Sequence, residues 1–400
     1  MALTVGERSR GLPAETAWSW IHRREVRQVI YQVLIVVALT ALVWMLVSNT
    51  IHNLKKQNIA SGFGFWNTTA GFDISQTLIA FSPVSTYGQA FWVGLLNTML
   101  VSGIGIVLAT LVGFTVGIAR LSSNWLIARL ANVYIEIARN VPLLLQLFVW
   151  YFAVLKNLPA PRQSLSLPGG AVLNVRGLSL PAPIMKPGAG WIVAALVAAV
   201  LGSIALRIWA RRRQLATGQQ FPVLWTALGL ITGLPLLAAL ATGVPIGVEY
   251  PQLKGFNFQG GIVVLPEFMA LLLGLVFYTG AFIAEIVRAG IQGVGKGQKE
   301  AASALGLTQG QVLKLVVVPQ AMRIIIPPLT SNYLNLTKNS SLGVAIAYPD
   351  LVSVFAGTVL NQTGQAIEVI AITMLVYLTL SLVTSAFMNW FNAHMALVER

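Results

Sequence analysis

Residues 299–319 read KEAASALGLTQGQVLKLVVVP. Ala301, Ala304 and Leu305 recur at i, i+3, i+4 spacing, which places them on one face of a short helix over Lys299–Leu305. Gly306 stands where a helix ends in a left-handed residue. The run Thr308-Gln309-Gly310-Gln311 fits a capping box, so a second short helix is expected to start there. Val312 and Leu315 repeat the apolar spacing, and Pro319 is expected to close the second helix. The stretch lies between apolar segments at 263–289 and 324–345 that are long enough to cross a bilayer. Two short capped helices with a tight turn and small alanines form a surface that a partner can approach closely. The stretch is read as a docking element rather than a connector.

Two rival readings of the region lack parts. Gly290-Ile-Gln-Gly-Val-Gly295-Lys296-Gly297 nearly spells a phosphate loop, but Gly297 stands where a magnesium-holding Ser or Thr belongs, and a membrane helix precedes it instead of a strand. Nucleotide binding by this chain is excluded. The helix–turn–helix spacing suggests a DNA reader, but the second helix carries one basic residue, Lys314, and no third helix supports it. No nucleic-acid partner is expected.

Composition sets the class. Of 400 residues, 56% are hydrophobic and 10% charged, against about 25% charged in soluble domains. Such a chain cannot cover a globular surface with polar groups, so an all-α, polytopic membrane protein embedded in the lipid bilayer is expected. Spans are expected near 28–48, 91–119, 131–155, 190–209, 221–243, 263–289, 324–345 and 366–390, about eight transmembrane helices. Trp191 and Trp209 bracket the fourth, and Trp44, Trp92, Trp225 and Trp390 sit near other ends, as an interfacial belt requires. The net charge of +14 then reports topology. Arg8, Arg10, Arg23, Arg24 and Arg27, then Arg120 with Arg129, Arg207 with Arg211–Arg213, and Arg288 through Arg323 alternate with loops sparse in Lys and Arg. With the basic set inside, residues 1–27 form a cytoplasmic N-terminal segment and both termini are cytoplasmic. The N-terminal segment has no signal-peptide pattern. There are no cysteines and three scattered histidines, so neither a thiolate nucleophile nor a metal centre is expected.

Residues 158–262 read as an insertion. Residues 157–189 hold six prolines and several glycines, and are expected to form an irregular outer loop. The two spans over 190–243 are almost purely Ala, Leu, Val and Gly, a composition suited to the periphery. No long internal repeat is visible, which disfavours an inverted-repeat secondary transporter. A membrane-embedded enzyme would need clustered His, Asp or Ser within the spans, and the spans contain no histidine. A secondary amino acid transporter or channel working without an ATPase stays the alternative.

The run Glu300-Ala301-Ala302, then Gly306, Val316, Val318 and Pro319 resembles the EAA loop of permease subunits of ATP-binding-cassette importers, with Val where the family favours Ile and Leu. Tyr134-Ile-Glu136-Ile-Ala-Arg139-Asn-Val-Pro142-Leu-Leu-Leu-Gln146, the stretch Tyr278–Ile291, Pro319-Gln320-Ala321-Met-Arg323 and Lys338-Asn339-Ser340-Ser341-Leu342 resemble the polar amino acid branch, which more often has Asp-Thr where Asn339-Ser340 stand. The resemblance covers roughly 91–391, interrupted by 158–262, and the extra first span (28–48) and inserted pair are similar to the larger permeases of general L-amino acid systems. It implies a five-helix permease core and a cytoplasmic coupling loop at 299–319. Glu300, Ala301, Ala302, Gly306 and Pro319 would contact an ATPase dimer. It further implies a second permease subunit, usually a different chain, a solute-binding protein outside a bacterial cytoplasmic membrane, and an amino acid as substrate. ATP with magnesium would be held by the partner ATPase. This chain would bind no cofactor and would not itself be an enzyme.

A zwitterionic substrate needs polar partners within the bilayer, where ionisable groups are costly and tend to be functional. Glu285 is a candidate, although Arg288 at i+3 offers it a local partner. Glu136 and Arg139 share that spacing and are expected to pair. Asn332, Asn335, Lys338, Asn339 and Ser340 crowd a seventh span that Pro327 and Pro328 are expected to interrupt, either as pathway residues or as glue between helices. Glu267 and Glu368 near outer helix ends are expected to be solvated or to face the binding protein.

Overall fold

The computed structural model describes residues 24–57, 61–243 and 246–395. Residues 1–23 of the N-terminal segment and the last five residues, on which the expected terminal topology bears, lie outside the described residues. In chain order the helices are α1 (Arg24–Lys56), α2 (Tyr87–Ala119), α3 (Trp125–Asn140), α4 (Leu143–Phe148), α5 (Ala189–Thr217), α6 (Val223–Ala241), α7 (Pro266–Gln292), α8 (Lys296–Ala304), α9 (Gln309–Val312), α10 (Val318–Asn339), α11 (Leu360–Thr363) and α12 (Ala366–Met395). Among the described residues seven helices are long and apolar enough to span a membrane, and α3 with α4 and its continuation to Asn157 adds an eighth as a bent pair. The tryptophans placed near span ends are all exposed.

Helix α7 is the hub, and its neighbours reach it through glycines. In α2, the pair Gly113 and Gly117 faces it. A Cβ on Gly113 would stand 2.4 Å from Ile283 Cγ2, and one on Gly117 would stand 2.6 Å from the Ala284 carbonyl oxygen. Small residues at four-residue spacing let two backbones approach within a membrane, where burial of apolar surface supplies no extra attraction. The α2–α7 seam is the most extensive helix contact in the chain. On other sides of α7, Gly274 receives Leu147 and Gly290 receives Ile325 of α10. The core of the bundle, with Leu271, Leu275, Ile283, Ile325 and Leu336 fully buried, lies around this hub.

The end of the bundle at the N-terminus of α2 carries a second, aromatic core. Phe65 and Trp66 of the segment before α2 pack with Phe91 and Phe355, and Trp66 sits against Gly88. This ties the 61–86 segment to α2 and to the π-helical turn Val352–Val359.

The third expected span, 131–155, is corrected: α3 and the helix after it meet at 108°. Proline forces Val141 into an extended conformation (φ −92°, ψ 127°) and supplies no N–H to carry α3 onward. The buried Gln146 then caps the broken end, its Nε2 donating to the Ala138 and Val141 carbonyls at 2.8 Å each. The seventh span is corrected in the opposite sense. Pro327 and Pro328 do not interrupt α10, because a proline φ is already helical and the pair withholds donors without ending the helix. Nor does Pro319 close a helix. It lies in the first turn of α10, after a π-helical turn at Leu313–Val317, so Gln309–Ile346 runs as one unit. The widened turn comes where the pyrrolidine ring would otherwise press on the preceding turn.

The expected irregular loop at 157–189 contains strands. β1 (Leu165–Leu167), β2 (Ala171–Asn174), β3 (Gly177–Leu180) and β4 (Ala182–Met185) precede α5, and β5 (Ile246–Glu249), β6 (Gln252–Lys254), β7 (Asn257–Gln259) and β8 (Ile262–Val264) follow α6. β1, β2, β3 and β8 form an antiparallel sheet in that order, β4 pairs with β5, and β6 with β7. The segments on either side of the inserted helical pair therefore fold together. The prolines fall between short strands or at edge positions, where no ladder N–H is lost. α5 and α6 make their extensive helical contact with each other.

Candidate functional site

The element expected to dock on a partner is built as two capped turns. α8 ends at Gly306, whose φ of +80° takes the left-handed conformation that glycine adopts without strain. The Gln311 side-chain oxygen accepts from the Thr308 N–H at 2.9 Å and from its hydroxyl at 3.0 Å, fixing the start of α9. Of the residues expected to contact a partner, Ala302 is buried beneath the element while Glu300 and Ala301 face solvent. Leu305 is 82% exposed, and Leu313 and Leu315 are also exposed. Apolar side chains presented on a rigid polar loop are the ingredients of a protein contact. Pro319 sits at the base, where the loop continues into α10.

A cleft of about 250 Å³ opens between α7 and α10, lined by Tyr278, Thr279, Phe282, Asn332, Asn335 and Asn339. The three asparagines share one face of α10. Helical spacing of three and four residues brings them together. Lys338 is exposed and Ser340 is buried, its hydroxyl donating to the Thr337 carbonyl at 2.7 Å, and neither lines the cleft. An amide both donates and accepts, so this wall can solvate either charged end of a zwitterion without itself carrying charge.

Comparison with known proteins adds relatives of nearly full length. Residues 215–397 match the model of the binding-protein-dependent transport system inner membrane component family. The general L-amino acid transport system permease protein AapQ of Rhizobium johnstonii is 56% identical over 96% of this chain and 97% of its own. The chain belongs to the family of ABC amino acid transporter permeases. The putative amino-acid ABC transporter permease YhdX of Escherichia coli is 53% identical over 94% of this chain and 95% of its own. The glutamate/glutamine/aspartate/asparagine transport system permease BztB of Rhodobacter capsulatus is 41% identical over 95% and 96%. This permease is thus a multi-pass inner membrane transport protein.

Of the two i+3 pairings expected in the permease, that of Glu285 with Arg288 forms, and that of Glu136 with Arg139 does not form among the described residues. Glu285 on α7 accepts from Arg288, whose Nε lies 3.2 Å from each carboxylate oxygen, and also from Arg120 at the end of α2. Its oxygens are committed to two guanidinium groups, so it acts as a clamp between α2 and α7. Glu136 and Arg139 do not pair among the described residues: Glu136 accepts from Asn140 at 3.3 Å, and Arg139 lies over the Phe282 ring, 5.1 Å from its centre. Glu267 is not simply solvated either. It accepts from the Tyr151 hydroxyl at 2.6 Å and lies 3.8 Å from Lys156, and Glu368 accepts from the Gly62 N–H.

Sequence reasoning missed the polar knot in the N-terminal third of α2. Asn97 Nδ2 donates to the Gln76 and Pro349 carbonyls at 2.9 Å, the Tyr348 hydroxyl donates to the Asn97 carbonyl at 3.0 Å, and the Leu351 N–H donates to the Thr98 hydroxyl at 3.0 Å. Asp350 is fully buried within it. One carboxylate oxygen accepts the Ser353 N–H at 2.7 Å and the other has no partner. Burial pushes this carboxyl up to about 7, against the opposing pull of the Ser353 and Val352 N–H groups. The available signal was a lone Asp between Pro349 and an apolar run. Its significance depends on α2, some 250 residues away in sequence, packing over it.

Proposed function

We propose that this permease is one half of the membrane pathway of an ATP-driven, binding-protein-dependent importer, and that it moves polar or general L-amino acids inward by alternating access. Hydrolysis belongs to a separate ATPase dimer holding ATP and magnesium, and a soluble binding protein delivers the amino acid from outside. The other half of the pathway is a second permease subunit, in this reading a different chain. Both termini are cytoplasmic, so the coupling loop faces the ATPase.

The carrying observation is the capped two-helix element at 296–312, with Leu305, Ala301 and Glu300 presented outward around the left-handed Gly306. A rigid lever transmits a rotation that a flexible linker would dissipate. The asparagine-lined cleft is the part of the pathway that meets the substrate. In this reading Asn332, Asn335 and Asn339 contact it, Lys338 lies at the approach, and Glu285 and Ser340 hold the surrounding helices. Names of the relatives support the substrate class, since those proteins are designated general L-amino acid and glutamate/glutamine/aspartate/asparagine permeases.

The test is reconstitution. Transport by the complex in liposomes should require ATP and the ATPase subunit. Glu300→Arg and Gly306→Val should leave the permease in the membrane but lower ATPase co-purification and uptake together, by tenfold or more. Uptake by this chain alone, driven by an ion gradient, would overturn the reading in favour of a secondary transporter.

A further inference from the structure

We infer that Arg139 is the receptor for the α-carboxylate of the transported amino acid, at the edge of the asparagine-lined cleft. This rests on the reading that the cleft lies on the pathway.

Arg139 sits at an unusual depth for a charge whose neighbouring carboxylate, Glu285, is already engaged by two other guanidinium groups. Tyr134 of α3 donates to the Phe277 carbonyl of α7 at 2.7 Å, and Arg139 lies one turn further on, over Phe282. Phe282 is sixteen residues from the start of α7 at Pro266 and ten from its end at Gln292. At about 1.5 Å per residue, this places the guanidinium well inside the span of a bilayer. An arginine there is expensive unless it faces a cavity or a counter-charge. Its expected partner, Glu136, is hydrogen-bonded to Asn140, and the neighbouring Glu285 is taken by Arg120 and Arg288. Among the described residues Arg139 forms no ion pair. It is exposed, and what holds it is the face of Phe282, a ring that also forms the wall of the cleft.

The chemistry of the two parts is complementary. The cleft lining contains no charged side chain. Asparagine oxygens can accept from an ammonium group, and the ring faces of Tyr278 and Phe282 favour a cation. A carboxylate leaving water needs more than amide donors. A guanidinium offers a planar fork of donors that matches it in two parallel charge-assisted bonds. Arg139 supplies that fork at the wall, and stacking on Phe282 pre-orients it. Because the carboxylate is common to all α-amino acids and the remaining wall is neutral, the site reads the backbone of the substrate and tolerates side chains of either charge.

The experiment measures binding of a radiolabelled L-amino acid to the purified permease–ATPase complex, without the binding protein, so that its selectivity does not intervene. Arg139→Gln should weaken binding tenfold or more, and Arg139→Lys, which keeps the charge but loses the fork, by a smaller factor. On the unaltered complex, an excess of the corresponding amino acid α-amide, which lacks the carboxylate charge, should fail to displace the label. Asn335→Leu separates the two readings. If Asn335→Leu abolishes binding while Arg139→Gln binds normally, or if the α-amide competes as well as the acid, the role of Arg139 is overturned and the cleft stands. If both variants bind as the unaltered complex does, the cleft reading falls and this inference with it. Should Arg139→Gln fail to co-purify with the ATPase, the α-amide competition and Arg139→Lys still decide.

Discussion

Asp350 shows how one residue can tie stability to pH. Its ordinary value of 3.8 is raised to about 7 by burial. For a carboxyl raised on folding, the native state holds its proton longer than the unfolded state does. The contribution to stability is therefore full below about pH 3.8, falls as pH rises, and levels off above about pH 7. The groups facing it are Tyr348 from its own segment, Tyr377 from α12, and Asn97 and Thr98 from α2. Asp350→Asn keeps the shape and the helix-capping oxygen but cannot ionise. The melting temperature of the unaltered protein relative to this variant is expected to fall between about pH 5 and about pH 7.5. A difference that stays flat over that window would show that Asp350 is held as an anion. Glycine at 113 is decided by contact instead. Gly113→Val puts branched carbons where Ile283 already stands, and overpacking of this kind costs about 1–3 kcal/mol. Lower yield and a lower melting temperature are expected, with Ile283→Ala restoring part of the loss if the clash is the cause.

At the scale of elements, the break between α3 and α4 is stabilised by one side chain. Gln146→Leu is nearly isosteric but leaves the Ala138 and Val141 carbonyls without their donors. Each such loss in a buried setting costs about 1–3 kcal/mol. With two carbonyls affected, the variant should therefore lose about 2–6 kcal/mol of stability, and Gln146→Glu, which also removes the donor, should behave no better. Spans of plain apolar composition were legible in the sequence because length and hydropathy alone decide them, so α2, α5, α7 and α12 lie close to their expected positions. The turn at Gly306 and the capping box at Thr308 were legible for the same reason, since both are set within four residues. The prolines were not. Pro142 breaks its helix while Pro327, Pro328 and Pro319 do not, and the difference lies in the supporting neighbours: a glutamine that satisfies broken carbonyls in one case, a π-helical turn or a continuous packed helix in the others. The cleft was half legible. Asn332, Asn335 and Asn339 fall on one face by spacing, but Tyr278, Thr279 and Phe282 join them only once α7 packs on α10. That Arg139 forms no ion pair among the described residues likewise depended on which carboxylates other side chains had already engaged.

At the scale of the molecule, we propose that the chain divides into a bundle around α7 and an inserted unit of strands and two peripheral helices. The insertion leaves and rejoins the bundle at nearly one point. Tyr151 and Lys156, just before it, contact Glu267, just after it, through a hydrogen bond of 2.6 Å and a charge pair at 3.8 Å. β3 pairs with β8, which leads directly into α7, so the sheet closes the insertion on itself. α6 has no buried residue and α5 has three, all alanines. A unit with adjacent ends, its own strand pairing and few helical contacts outside itself can be removed without opening the core. Replacing residues 160–263 by a short Gly/Ser linker is therefore expected to leave a protein that inserts, assembles with the ATPase and binds amino acid in the cleft. Binding-protein-stimulated uptake is the measurement that assigns the insertion. Uptake retained within about threefold makes the inserted unit peripheral to transport. Loss of uptake with amino acid binding and ATPase assembly intact places the docking of the binding protein on the sheet. Failure to assemble at all would show instead that the bundle and the insertion are one folding unit.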